Sequence, residues 1–434
     1  MLKVYEDSRN YTATVIDLPT MLPVEGLDNL MKVVVFGNQC LIGKDSDPMV
    51  LYLFFPAETQ LSPEFLKLNN LYRHSDKNSD TSKSGYFEDN GRIKAVKFKG
   101  VISSGFVIPV LSLPDNTHIA RGIGTFLKPG DEFNSINGFD VCKKYIRRMN
   151  ERGERKKTEG ILDRIVEKKM APEHMDTGHL LKHAHKLRDE THIIVTYKLH
   201  GTSARTFNTL ARRKLKWYEK LVKMLGIRVQ EEEYKYVVAS RRCLKSIDFE
   251  GLKGKNHFFA DDLWTKVAKE HLDGKLYKGE AIYYEIIGKT YDGEEIQKGY
   301  TYGFVTPQIY VYRISNINPQ GVETDLSYWQ MEERAQQLGL KTCPLLFKGS
   351  VGEFTRKYGK FLYNNVEEAL EDVFYNNLLE KPSILDGKVV EEGFCVRMDG
   401  LRPEIFKIKS RKFLLHESKL LDQEVVDMEE DQNA

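Results

Sequence analysis

Short apolar runs broken by glycines dominate the first 110 residues. Residues 31–36 and 49–55 are β-rich, and residues 91–98 alternate charged and apolar positions with the period of two expected of a half-buried strand. Gly37, Gly43, Pro56, Gly100 and Gly105 punctuate them. Several short strands of this kind predict a small β-barrel, and an OB-like barrel is expected over residues 1–135. The polar stretch 74–90, rich in Ser, Asp, Asn and Lys, reads as a mobile loop.

Residues 136–190 read as a helical basic linker. Residues 159–167 carry apolar side chains at helical spacing, and eight basic residues stand against two acidic ones between Lys143 and Lys157. From residue 193 short strands return, at 193–197, 234–238, 281–287, 309–314, 393–398 and 405–408. A basic amphipathic segment over 210–227 offers Leu215, Leu221, Val222 and Leu225 to one face and predicts an inserted helix. Residues 353–379 are helical in character. The chain divides into a barrel (1–135), a linker (136–190), an α+β domain (191–421) and an acidic tail (422–434). There is no internal repeat.

Composition narrows the class of protein. The 434 residues are 41% hydrophobic, 29% charged and 11% aromatic. No apolar stretch is long enough to cross a bilayer, and the N-terminus lacks an apolar signal core. The expectation is a cytoplasmic protein with no membrane partner. The five cysteines, Cys40, Cys142, Cys243, Cys343 and Cys395, are far apart. They read as reduced thiols rather than a zinc site or disulfide framework. A net charge of only +2 does not point to nucleic acid. Its uneven distribution suits a polyanion contacted at defined places.

The strongest chemical signal is Lys198-Leu199-His200-Gly201-Thr202-Ser203, directly after a predicted strand. It puts an amine at a strand end, and Gly201 gives a backbone that a phosphate can approach closely. In order after it come Ser240-Arg241-Arg242, Tyr284-Glu285-Ile286-Ile287-Gly288, Val311-Tyr312-Arg313-Ile314, Glu392-Gly393-Phe394-Cys395-Val396 and Phe406-Lys407-Ile408-Lys409. A free lysine is almost wholly protonated at neutral pH, so a nucleophilic amine needs nearby cations to lower its pKa. Lys407 and Lys409 are candidates, and the same charges would offset phosphate oxygens in a transition state.

This ordered series resembles the covalent nucleotidyltransferase superfamily of ligases and capping enzymes over residues 193–412. His200 stands where DNA ligases usually carry aspartate, as in RNA ligases. Residues 55–65 and 97–104 resemble the Deinococcus-type RNA ligase family, which places an OB domain before the catalytic domain. The implied fold is α+β: an N-terminal OB-like β-barrel followed by a nucleotidyltransferase (ATP-grasp-like ligase) domain of antiparallel sheets and helices.

The implied activity is ATP-dependent sealing of 3′-hydroxyl and 5′-phosphate ends, at a nick in duplex RNA or an RNA–DNA hybrid, by a monomer. ATP serves as AMP donor, with Mg²⁺ or Mn²⁺. The resemblance makes Lys198 the adenylylated lysine and gives His200 a part in AMP transfer. It puts Lys407 and Lys409 on the phosphates, Arg241 (or Arg242) near ribose or acceptor phosphate, and Glu285 on the ribose. Tyr312 would stack on adenine, and Glu392 would bind the divalent cation, with Glu391 pointing the other way on a strand. A DNA ligase, a GTP-using capping guanylyltransferase and a non-catalytic nucleic-acid-binding protein remain alternative readings.

Overall fold

The computed structural model describes residues 1–115, 126–146, 162–251, 262–360 and 362–423. The basic run beyond residue 146 and the acidic tail beyond residue 423 lie outside the described residues. The protein is α+β with mostly antiparallel sheets, as expected.

The N-terminal strands form five small sheets and, among the described residues, no closed hydrogen-bonded barrel. The largest runs Gly105–Pro109, Leu51–Pro56, Ala13–Asp17, Glu132–Phe133. Its apolar face packs Val15, Leu53, Phe55, Phe65 and Phe133, all fully buried. Strands here are short for local reasons. Pro23 lies at a register shift in the strand Leu22–Val24. The turn after Leu27–Val35 needs two positive φ values, at Phe36 and Gly37. Strand pairing continues past residue 135: Phe139–Asp140 and Cys142–Lys144 still pair with N-terminal strands.

Three expectations for this half change. Only Val96–Phe98 of the segment 91–98 is a strand, and Arg92 turns inward rather than outward. The loop 74–90 is pinned by buried Asn78, whose side chain bonds the backbone of Tyr72 and Lys83. The linker is not a helix where it is described. It holds 3-10 turns at Leu162–Arg164, Lys168–Met170 and Leu181–Lys186. Pro172 cannot continue a helix from the second of these, and Gly178 pairs in extended form with Phe406.

The C-terminal half is built on two sheets. One runs Gly178–His179, Glu404–Lys409, Gly393–Met398, His192–Lys198, Leu345–Ser350. The other contains, in order, Leu244–Ile247, Glu232–Ser240, Thr202–Arg212, Glu280–Ile287 and Gln308–Ile317. Glu280–Ile287 is buried at every position, which its nearly continuous apolar run allows because both faces are covered. Helices Leu263–Leu272 and Tyr328–Leu338 pack one face through Trp264, Val267, Met331 and Ala335. Asp262 caps the first helix at the Thr265 N–H, and Ser327 with Gln330 forms a capping box on the second. The expected helical stretch 353–379 is present as Val351–Tyr358, Val366–Asp372 and a π turn over Val373–Leu378.

The helix Arg411–Asp422 fastens the two halves. Arg92 donates to both Glu58 oxygens at 2.7 and 2.8 Å and pairs with Asp422 at 2.9 Å. Ser418 donates to Glu58 at 2.6 Å. The Arg411 guanidinium lies 4.0 Å from the Tyr375 ring centroid and donates to the Gly37 carbonyl at 2.8 Å. Removing one partner of a buried pair such as Arg92–Glu58 costs about 3–5 kcal/mol, because the other charge stays buried. This clamp fixes the N-terminal half over the space between the two C-terminal sheets.

Candidate active site

That space is a cavity of about 240 Å³ lined from three directions: both C-terminal sheets and the N-terminal half. Lys198 is the last residue of its strand, and register places Lys198, Gly393 and Lys409 in one row across three strands. Two residues back, Thr196, Cys395 and Lys407 form the next row on the same face. Three lysines thus converge on one wall without any being close in sequence to Glu392.

Glu392 is buried, and its Oε1 lies 2.7 Å from Lys198 Nζ and 3.7 Å from Lys409 Nζ. Lys409 also reaches Glu417 of the last helix at 3.0 Å. Burial lowers the Lys409 pKa, but Glu417 and Glu392 outweigh it and hold the ammonium well above its ordinary range. Lys407 behaves oppositely. Burial and the neighbouring cations Lys409, Arg241 and Lys198 push it down to about 8. Glu391 faces away, accepting the Ile384 N–H at 3.1 Å, and burial pushes its carboxyl up to about 7.

The facing sheet supplies Ser203, Glu285 and Tyr312. The Tyr312 hydroxyl and Ser203 Oγ share a hydrogen bond at 2.7 Å, and the ring packs against His174 with centroids 5.5 Å apart. Glu285 Oε1 accepts the Gly201 N–H at 3.0 Å, tying the loop after Lys198 to the neighbouring strand. Gly201 has a second reason beside the one its sequence context suggests. A Cβ there would lie 2.3 Å from the Ile286 carbonyl oxygen, so the neighbouring strand by itself excludes a side chain. Gly201→Ala is expected to push the loop off Glu285 and to cut any chemistry at Lys198 roughly 100-fold, since a displacement near 1 Å has that effect. Covalent labelling rates for the two proteins would check it.

His200 does not line the cavity. Its ring is buried edge-on between Tyr300 and Phe413, at centroid distances of 5.1 and 4.9 Å, and the His200 backbone N–H donates to the Tyr302 hydroxyl at 2.8 Å. In this structure it supports the loop from behind. Lys198, Arg241, Glu285, Tyr312, Lys407 and Lys409 all line the cavity.

Sequence reasoning missed the residues contributed by the linker and the N-terminal half. Asp176 bonds Arg241 at 2.8 Å, and that guanidinium holds its carboxyl below the usual range despite burial. His179 is pushed down to about 3 by burial and by Lys182 and Lys407, so it is neutral. Arg9, Asn10 and Lys144 close the cavity from the N-terminal side. Lys144 belongs to the basic run that begins at Lys143, whereas nothing in the local sequence marks Arg9 or Asn10.

The chemistry is that of an anion site with one amine held at a buried carboxylate. Known proteins agree with this class. The family model for RNA ligases matches residues 191–409, just over half of the chain. The chain therefore belongs to the RNA ligase family, and it is a ligase enzyme. Its fold is shared with solved structures of a Naegleria gruberi RNA ligase. A mutant of that protein with ATP and Mn is 16% identical, with a TM-score of 0.55 over 93% of this chain and 98% of that one. A mutant in the apo form is 17% identical, TM-score 0.56, over 94% and 98%. The form with PPi is 15% identical, TM-score 0.55, over 94% and 98%. No curated protein matches the chain. Among the described residues no helix is long and apolar enough to cross a membrane.

Proposed function

We propose that the protein is an ATP-dependent RNA ligase that joins 3′-hydroxyl to 5′-phosphate ends through a covalent lysyl-AMP on Lys198. The observation carrying this is the placement of Lys198 at 2.7 Å from buried Glu392, in one cavity with Lys407, Lys409 and Tyr312. The Naegleria gruberi ligase of the same fold has been solved with ATP and Mn, which supports the nucleotide and a divalent cation here.

In this reading the Lys198 amine, having lost a proton to solvent, attacks the α-phosphorus of ATP. The bond to pyrophosphate breaks and a P–N bond forms. A 5′-phosphate oxygen then displaces lysine from the same phosphorus. Finally a 3′-hydroxyl attacks the activated 5′-phosphate, loses its proton and expels AMP. Lys407 and Lys409 offset charge on the phosphate oxygens, Tyr312 stacks on adenine, and Glu285 meets the ribose. Arg241, held by Asp176, meets the ribose or the acceptor phosphate.

Glu392 fits a divalent cation by its chemistry. It is a hard carboxylate buried beside the amine. A single carboxylate suits Mg²⁺ or Mn²⁺ that keeps water and phosphate ligands. Such a cation would supply positive charge at the phosphates. We further propose that residues 1–135 act as the OB-like module of a Deinococcus-type ligase. Arg9 and Asn10 at the cavity support this, and so does the clamp through Arg92. The substrate proposed is a nick in duplex RNA or an RNA–DNA hybrid, sealed by a cytoplasmic monomer.

The test is incubation with α-labelled ATP and either cation, after pyrophosphate has stripped any bound AMP, followed by denaturing electrophoresis. Label retained on the chain, and joining of a nicked duplex whose 3′-hydroxyl strand is RNA, are expected. Absence of label with both cations would overturn the reading.

A further inference from the structure

The insertion between Thr202–Arg212 and Glu232–Ser240 does not do what its pattern predicts. Its helix spans only Trp217–Met224, and residues 210–212 belong to the preceding strand. The apolar residues point away from the protein. Trp217, Met224 and Leu225 are 75%, 81% and 78% exposed, and Leu221 and Ile227 are exposed too. Trp217, Leu221, Met224 and Leu225 fall at spacings of four, three and one, a single stripe of the helix surface. What faces the body instead is Glu219, bonded to Arg213 at 2.6 and 2.9 Å, together with half-buried Val222. A surface helix ordinarily turns its apolar stripe inward, so this orientation is the reverse of a packing solution.

Charge says what would cover the stripe. Between Arg212 and Arg228 there are seven basic residues and one acidic. Exposed Lys216, Lys220 and Lys223 sit beside the apolar stripe, Lys223 paired with Glu231 at 2.6 Å where the acidic run 231–233 begins. Lysines flanking tryptophan and aliphatic side chains match the boundary between anionic headgroups and acyl chains. A nucleic-acid backbone would use the cations but leave Leu221, Met224 and Leu225 in water. The strand Thr202–Arg212 carries its far end roughly 36 Å from Gly201, at about 3.3 Å per residue, so occupancy here would leave the cavity open.

We propose that this helix tip is a peripheral docking surface for an anionic lipid bilayer, with Trp217, Leu221, Met224 and Leu225 entering the interface. It would revise the expectation that the protein has no membrane contact. It does not depend on the identity of the ligated substrate.

The experiment uses the full chain carrying Trp329→Phe, which leaves buried Trp264 and the reporter Trp217. Sedimentation and tryptophan emission are measured with phosphatidylcholine vesicles, with and without phosphatidylglycerol. Binding to the anionic vesicles, with a blue shift, is expected. Leu221→Asp with Leu225→Asp should weaken it at least about tenfold, while covalent labelling by ATP stays at the parent's level, which shows the fold intact. Lys220→Glu with Lys223→Glu should weaken it too, and added salt should mimic that change. No binding to anionic vesicles would overturn the proposal. So would binding that survives the aspartate pair. Binding of duplex RNA instead, lost in the glutamate pair, would reassign the surface to nucleic acid and overturn it equally.

Discussion

Lys198→Met is expected to leave no covalent AMP on the chain, a loss of roughly 10⁴-fold or more, the scale that follows removal of a covalent nucleophile. Methionine keeps much of the side-chain volume and removes the amine. The variant should still fold, because Glu392 retains Lys409 within 3.7 Å. The informative comparison is with a nicked duplex whose 5′ end already carries AMP. Its sealing needs no lysyl intermediate, so that step should fall far less than labelling does. Equal loss in both assays would mean that Lys198 acts by shaping the pocket. Retained label on Lys198→Met would mean that another side chain is the nucleophile, and the cavity offers Lys407 and Lys409 as rivals. Denaturing gels with α-labelled ATP, alongside thermal melts of both proteins, decide among these.

Much of this site was legible before any coordinates, and the reason is local. Lys198, Glu392, Lys407 and Lys409 each sit at the end of a short strand or close to it, and a strand's period of two fixes which residues share a face. Lys407 and Lys409 therefore had to point together, and Glu391 and Glu392 apart, as they do. Asp176, Arg9 and Asn10 have no such signature. They reach the cavity through tertiary packing of an irregular linker and a clamped N-terminal half, and no periodicity encodes that. Helical spacing over 159–167 predicts a helix, whereas the described residues from 162 on hold 3-10 turns, and Pro172 and Gly178 end any longer run. The inserted helix shows a second limit. Amphipathicity identified its apolar residues but not which way they face, and Leu221 and Leu225 face solvent. The sequence suggests at Gly201 a backbone open to a phosphate, and it does not show that the Ile286 carbonyl, on a strand more than eighty residues away, also excludes a Cβ there. The expected OB-like barrel rests on counting strands and on the resemblance over residues 55–65 and 97–104, and strand count does not determine closure.

Lys407 should carry the second largest effect, and its sign with pH can be worked out. Its ammonium is held down to about 8 by burial and by Lys409, Arg241 and Lys198. In the empty protein it is charged below about pH 8 and neutral above. In an unfolded chain it would hold its proton up to the ordinary lysine value near 10.4. Between those limits the unfolded chain binds more protons, so this group makes folding more favourable as pH rises. Below pH 8 its electrostatic cost is present in full. An arriving triphosphate reverses the balance, because it neutralises the repulsion that lowers this pKa and so draws a proton onto Lys407. Nucleotide capture at limiting ATP should therefore be strongest below about pH 8 and weaken above it, once the proton must be taken up from a scarcer supply. Lys407→Ala should lower the labelling rate by about 10²–10³-fold, the loss typical of one preorganised donor at a developing charge, and remove this alkaline decline. Lys407→Arg keeps a permanent charge, so it should restore part of the rate with a flatter alkaline limb. Rates of covalent labelling from pH 6 to 10 on the three proteins give the answer. An alkaline decline unchanged in Lys407→Arg would assign the titration to another group.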